Sequence, residues 1–369
     1  MYPKLRAFSR ALIYGLASLL FVAVVHGQSP LGPPSEANHF IETPKGWTQP
    51  KTPWGDPDIQ GMWPISFVGS VPLERCAGGS GRGRGTPPPP CDPNKEFLTE
   101  AEYQARLDAA SKQVDRHAAA VAAGNFGEAL QTGVTDPTAP QRQTSLIVDP
   151  PNGKLPEMTA EGKRLSALMK SSWALPGETP EWDSYLDFDS WDRCITRGMP
   201  SSMMPYRYNN GVRIMQVPGY VILDLEMVHE TRIVPVDDRP ALSPKIKHWM
   251  GESRGHWEGN TLVIETTNFR TGPSATNIGV MGSPPGNRFP VSEQMKITER
   301  ITRLNNDFLL YEIKTEDPVI LTRSWTARYP LKQDSSYEWW EYACHEGNRT
   351  IGDYINASRA ERASQSEAK

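Results

Sequence analysis

From Val212 onward the chain is a series of short β-branched and aromatic runs separated by tight-turn residues, and this pattern constrains the fold more than any other feature. "VRIMQV" and "YVILDL" flank Pro218-Gly219. "GHWEGNTLVIETTNF" turns on Glu258-Gly259-Asn260, and "KITERITRL" meets "FLLYEIKTED" across Asn305-Asn306-Asp307. "VILTRSWTARY" and "YEWWEYAC" follow. Runs of this composition with turn chemistry between them read as sequential antiparallel strands. The fold class is therefore mainly β. A meander of about eight strands is expected to close as a lipocalin-like β-barrel over residues 191–356, because closure removes exposed edges. A sandwich is the alternative. No repeat of solenoid or propeller period is present.

The remainder divides into four parts. Lys4, Arg6 and Arg10 precede the apolar run Ala11–Val25, and small residues at Val25 and Gly27 complete a signal-peptide pattern over residues 1–27. The apolar run is short for a membrane span, so no stable membrane insertion is expected. Residues 28–58 are Pro-rich and aperiodic, an extended surface arm. Residues 59–190 are a mixed segment. It starts on a strand at "DPDIQGMWPI" and carries a helix over about 99–123, with Thr99 and Glu102 as a capping box and Gly124 as its stop. A shorter helix is expected after Thr159. Residues 357–369 are a polar tail.

An exported chain keeps its disulfides, so the four cysteines Cys76, Cys91, Cys194 and Cys344 read as two bridges with three possible pairings. Cys76–Cys91 would staple a Gly/Pro-rich loop, which leaves Cys194 with Cys344. Cleavage removes three cations and no acid, leaving a net charge of about −7. An acidic chain has no electrostatic footprint for nucleic acid. "GSGRGRG" lacks the Lys-Ser/Thr of a phosphate loop, no GxSxG follows a strand, and no HxH, HExxH or CxxC spacing is present. The expectation is no cofactor and no metal.

The blocks "RCITRGMP", "YNNGVRIMQVPGYV", "EMVHETRIVPVDDRP", "GESRGHWEGNTLVIETTNF", "ERITRL", "EDPVILTRSWTARYP" and "YACHEGN" follow one another between Leu146 and Glu361. In that order they resemble a family of exported proteins from environmental bacteria. The resemblance implies one fold unit and brings no reaction with it. The "GMW" start and the meander are also loosely similar to lipocalin-like and carotenoid-hydratase-like barrels, an analogy of fold only.

Strand parity selects candidate site residues, since alternate residues share a face. In "YVILDLEMVHETRIV" the odd face is apolar except for His229 and Thr231, which points His229 inward and Glu226 and Arg232 outward. A bulge near Val228 would instead bring Glu226 and His229 together. In "KITERITRL", Glu299 lies between Ile297 and Ile301 on the buried face, with Arg303 or another cation needed to pair it. Tyr311 and Trp325 belong to the neighbouring strands. Arg254, His256 and Glu258 crowd the strand before Gly259, and His345 precedes the turn Glu346-Gly347-Asn348. These turns explain "EGN" without chemistry.

Eight tryptophans fall between Trp173 and Trp340. They supply either core plugs or an aromatic pocket that includes Trp257 and Trp339, over which Met203 in "GMPSSMMP" would form an apolar lid. The expected function is acid–base chemistry of the lyase, hydratase or isomerase type on a hydrophobic or aromatic small molecule. His229 or His345 would be the base, Glu226 or Glu299 the acid or orienting partner, and Arg232 or Arg254 the anion stabiliser, with His256 a further candidate. The alternative is a non-catalytic binder of the same ligand class.

Overall fold

The computed structural model describes residues 41–76, 91–125, 140–172, 178–206, 208–272 and 289–367. The expected signal segment, the first part of the arm and Trp173 lie outside the described residues. Strands β1 (Gly61–Met62), β3 (Val212–Val217), β4 (Tyr220–Leu225) and β5 (Glu230–Pro235) form a four-stranded sheet in the order β1-β3-β4-β5. A second sheet has the order β2-β10-β9-β8-β7-β6. It comprises β2 (Ile147–Asp149), β6 (Glu252–Glu258), β7 (Thr261–Thr267), β8 (Lys296–Arg303), β9 (Phe308–Glu316) and β10 (Trp325–Lys332). All pairings within both sheets are antiparallel.

The strands thus divide between two antiparallel sheets, and among the described residues no closed barrel is seen, which fits sandwich-like packing. The meander breaks at residues 236–251, where Pro240 and Pro244 interrupt the ladder that would join β5 to β6. There the sheets meet through side chains. A Cβ on Gly255 of β6 would fall 2.9 Å from Val236 and 3.1 Å from Val234, so only glycine permits this approach. One core serves both sheets: Val212, Ile214, Leu223, Leu225 and Val234 from the smaller, and Ile264, Ile297, Ile301, Leu309, Ile313 and Trp325 from the larger.

The hairpins form where the turn residues place them. β6 and β7 are joined by Gly259-Asn260 alone, with Glu258 opposite Thr261 and Gly259 at φ +60°. "YEWWEYAC" is not a strand. Residues 333–349 are irregular, and Gly347 (φ +66°) lies in the turn expected of "EGN".

Three α-helices lie among the described residues. α1 (Glu100–Ala122) has the expected capping box: the Thr99 hydroxyl accepts from the Glu102 amide, and the Glu102 carboxylate accepts from the Thr99 amide at 2.9 Å. It buries only Ala120 and is a surface strut. α2 (Ala160–Ser166) is the short helix expected after Thr159, whose hydroxyl caps it. α3 (Thr350–Glu367) takes in most of the span expected as a polar tail, and that span is helical up to Glu367. It is led by Asn348, whose side chain accepts from the Thr350 amide, and it docks through Tyr354, edge-on to Trp182 at 4.9 Å. Both expected disulfides are present, Cys76–Cys91 and Cys194–Cys344. Residues 41–58 of the arm lie on the β8–β9 turn, where Trp47 Nε1 donates to Asn306 Oδ1 at 3.2 Å. Among the described residues no helix is long and apolar enough to cross a membrane.

Candidate functional site

The parity of β4 does not run on into β5. Leu225 is the last residue of the odd buried face, and the chain then reverses through Glu226–His229, with the His229 amide bonded to the Glu226 carbonyl at 2.8 Å and His229 at φ +53°. In β5 the buried residues are Arg232 and Val234, while Thr231 and Ile233 face out. The expected orientations are therefore inverted. Glu226 and Arg232 point inward, and His229 is exposed.

Glu226, 1% exposed, has its carboxylate filled by four donors. Asn209 Nδ2 and the Trp340 amide reach Oε1 at 3.0 Å, while the Gly211 amide at 3.0 Å and the Tyr337 hydroxyl at 2.5 Å reach Oε2. A Cβ on Gly211 would fall 2.9 Å from Oε2, so glycine is what admits the carboxylate. This clamp ties the irregular segment 337–340 to the start of β3. No lone pair of Glu226 is turned toward a ligand.

Glu299, 0% exposed, is paired by Arg232 across the two sheets rather than by Arg303 on its own strand. Arg232 Nη1 and Nη2 reach the two carboxylate oxygens at 2.9 and 2.5 Å, and the Tyr311 hydroxyl donates to Oε1 at 2.7 Å. Arg232 Nη2 also reaches Ser253 Oγ at 3.0 Å. Burial works against the Arg232 cation, but the charge and hydrogen bonds of Glu299 outweigh it and raise its pKa. Burial, and then Glu299, push the Tyr311 phenol well above its ordinary value. The Glu299 carboxylate is thus satisfied inside the core, while the buried Arg232 Nε has no hydrogen-bond partner among the described residues.

Several other expected site residues belong to packing or to the surface. Met203 is fully buried, its carbonyl accepting from the Tyr329 hydroxyl, so "GMPSSMMP" is core rather than lid. Trp325 is fully buried and Trp257 packs against the core. Trp339 is half-buried under the Arg213 guanidinium, 4.8 Å from its ring centre. Arg254 holds the 237–240 loop through its carbonyls. His256 is exposed and meets Glu258 at 3.3 Å, which in turn pairs with Arg300 at 2.9 Å.

His229 and His345 do come together. The Cys194–Cys344 bridge brings the 342–347 turn against the β4–β5 reversal, and the two imidazole centres lie 6.4 Å apart, both exposed. His229 Nδ1 is 3.1 Å from the Tyr342 carbonyl, which can only accept, so Nδ1 donates there and, in a neutral imidazole, Nε2 is the nitrogen left with the lone pair. Next to it, burial raises the pKa of the Glu230 carboxyl, against opposition from the Thr196 hydroxyl, Arg232 and His229.

Behind this edge stands an aromatic cluster that parity reasoning did not find. Arg197 is buried with its guanidinium 5.2 Å from the Trp191 ring and 5.0 Å from the Tyr206 ring, and burial pulls its pKa down to about 10. Tyr206 is edge-on to both Trp191 (5.0 Å) and Tyr208 (5.1 Å), and Tyr208 lies near-parallel to Tyr342 at 6.5 Å. Burial raises the phenols of Tyr208 and Tyr342, so both stay neutral and can donate and accept. The sequence signal for this cluster was the density of Tyr, Trp and Arg in 191–208, irregular chain to which no strand period applies.

Among the described residues no group of three or more His, Cys, Asp or Glu side chains is arranged to hold a metal ion. Comparison with protein-family models, with curated proteins and with solved structures gave no match in any of the three.

Proposed function

We propose that this chain is an exported binding protein whose recognition surface is the tyrosine-rich edge formed by Trp191, Tyr206, Tyr208 and Tyr342. Its ligand is a planar, uncharged, largely apolar small molecule. The observation that carries the reading is the partial exposure of that ring array. Tyr208 is 44% exposed while its neighbours are held by the buried Arg197 and the Cys194–Cys344 bridge, so a stacking surface stands ready without further ordering. The saturated state of Glu226 and Glu299 supports binding over acid–base work in the interior. Export is supported by the two disulfides and by the charged and apolar pattern of residues 1–27.

The test is native mass spectrometry of the chain secreted from a periplasmic host, before and after denaturation, followed by titration of any retained molecule or of a panel of planar aromatics. Tyr208→Ala is expected to weaken binding about tenfold, the loss of one stacking partner, without changing the melting temperature. Unchanged affinity in Tyr208→Ala, or no saturable binding by any compound, refutes the assignment.

A second reading is acid–base catalysis at the same edge, with His229 Nε2 as base and Glu230 or His345 as acid. The fixed His229 tautomer and the raised Glu230 carboxyl favour it. It requires that the bound molecule be chemically altered and that His229→Ala abolish the change while leaving binding intact. Full turnover in both His229→Ala and His345→Ala would end it.

A further inference from the structure

The tyrosine-rich edge is built from two segments far apart in sequence. Trp191, Tyr206 and Tyr208 belong to one and Tyr342 to the other, and the Cys194–Cys344 bridge joins them. The backbone bonds of the turn at 341–349 stay inside it: the Cys344 amide reaches the Tyr342 carbonyl at 2.8 Å, the Glu346 amide that of Ala343 at 3.0 Å, and the Asn348 amide that of His345 at 3.3 Å. The bridge apart, this turn meets the body through non-covalent contacts. These are the bond from His229 Nδ1 to the Tyr342 carbonyl, the near-parallel Tyr208–Tyr342 pair, and the packing of Tyr342 on Cys194, Met227 and Val228. The stretches on either side are fastened independently. Glu226 binds the Tyr337 hydroxyl and the Trp340 amide, and α3 is held by Tyr354 on Trp182 and by Arg359 Nη2, which donates to the Asp183 carbonyl at 2.7 Å.

The two halves of the bridge are chemically unlike. Cys194 is 3% exposed, whereas Cys344 is partly exposed between the exposed Ala343 and His345. A thiolate arriving from solvent therefore meets the Cys344 side, and the bond that breaks expels Cys194 as the leaving thiolate. Asn348 Nδ2 donates to Cys194 Sγ at 3.3 Å, placed to stabilise that charge, and a better leaving thiolate speeds exchange. We propose that the Cys194–Cys344 bridge is a redox switch of the edge, a proposal that rests on reading the edge as a binding surface. The thiolate of an external dithiol attacks Cys344 Sγ, and its second thiol resolves the mixed disulfide. The two thiol protons pass to Cys194 and Cys344, and the dithiol leaves as a disulfide. Residues 341–349 are then released, Tyr342 leaves the ring array, and both sheets and α3 stay in place.

The test is native-state reduction of the oxidised mature chain by dithiothreitol. N-ethylmaleimide trapping with mass mapping follows each bridge, amide hydrogen exchange follows the turn, and titration with the panel of planar aromatics, coumarin among them, follows binding. Once Cys194 and Cys344 are alkylated, exchange in 341–349 should rise about tenfold or more while β8 and β9 stay protected. Affinity should fall about tenfold, the loss of one stacking partner. Cys194→Ser/Cys344→Ser should behave as the reduced chain, and Cys76→Ser/Cys91→Ser as the oxidised one. Asn348→Asp keeps the acceptor that bonds the Thr350 amide but has no donor for Cys194, and should slow reduction about threefold or more. Opening of the bridge only with global unfolding, or protection of 341–349 that survives its opening, overturns the proposal. So does release of the turn with unchanged affinity, while Tyr208→Ala on the oxidised chain decides the reading of the edge by itself.

Discussion

Replacing Arg232 by methionine removes the cation that neutralises Glu299 while keeping an unbranched side chain of similar reach. Glu299 would then remain between Ile297 and Ile301 with the Tyr311 hydroxyl as its donor, at a site with no access to water. Removing one partner of a buried pair costs about 3–5 kcal/mol, because an uncompensated charge stays in the core. For a chain of this length roughly 2 °C of melting temperature is lost per kcal/mol, so a fall of about 6–10 °C is expected. The double variant Arg232→Met/Glu299→Leu removes both charges and should recover most of that loss, since apolar replacements of a buried pair are often close to neutral. Tyr311→Phe removes one hydrogen bond to a charged acceptor and is expected to cost about 1.5–3 kcal/mol. Calorimetry and urea unfolding of the oxidised protein, arranged as a double-mutant cycle, read all three. A single-variant loss below about 1 kcal/mol, or a double variant no more stable than the worse single, would show that the pair does not govern the core as described.

Three further outcomes follow from the same structure. Burial, and then the charge of Asp192, lift the Asp189 carboxyl to about 6, above the ~3.9 of an unfolded aspartate, so the folded state holds the extra proton between about pH 4 and 6. Stability therefore falls as pH rises through that window. Asp189→Asn should flatten this slope and gain at most about 3 kcal/mol at neutral pH, and an unchanged slope in pH-dependent urea titrations counts against it. Glu226→Ala removes the acceptor of four donors and should cost about 3 kcal/mol or more, with Glu226→Gln milder; limited proteolysis should open first between Tyr337 and Asn348, and cleavage elsewhere first would refute the clamp. By chain entropy the bridge spanning 150 residues, Cys194–Cys344, contributes about 5 kcal/mol and Cys76–Cys91, spanning 15, about 3. Paired Cys→Ser variants should lose stability in that order, and the reverse order would contradict it.

Much of the scaffold was legible because its signals are local. The Thr99–Glu102 capping box, the Gly259-Asn260 turn and the alternation that buries Ile297, Glu299 and Ile301 each depend on a few adjacent residues. The cation for Glu299 was not legible, because Arg232 lies 67 residues away on the other sheet whereas Arg303 stands four away on the same strand. "YEWWEYAC" has strand composition, yet the Tyr337 hydroxyl and the Trp340 amide bind Glu226 and Tyr342 packs at the disulfide, so tertiary contacts override β-propensity there. The C-terminal helix was readable in principle from "SRAERASQSE", whose residues favour helix, but it lacks the apolar stripe that marks one. The decisive case is the reversal at Glu226–His229. A non-glycine residue at positive φ leaves no mark in composition, and one such reversal exchanges the faces of the strand that follows it, Glu230–Pro235. It carried Glu226 and Arg232 inside, where each is consumed by structural bonds, and put His229 outside beside His345, Glu230 and the tyrosines. The residues suspected of chemistry in the sequence were thus mostly real features of the fold. The parity of one turn decided which of them are held in buried structural bonds and which stand at the surface, and it is why the proposed recognition surface lies at the edge and not in the interior.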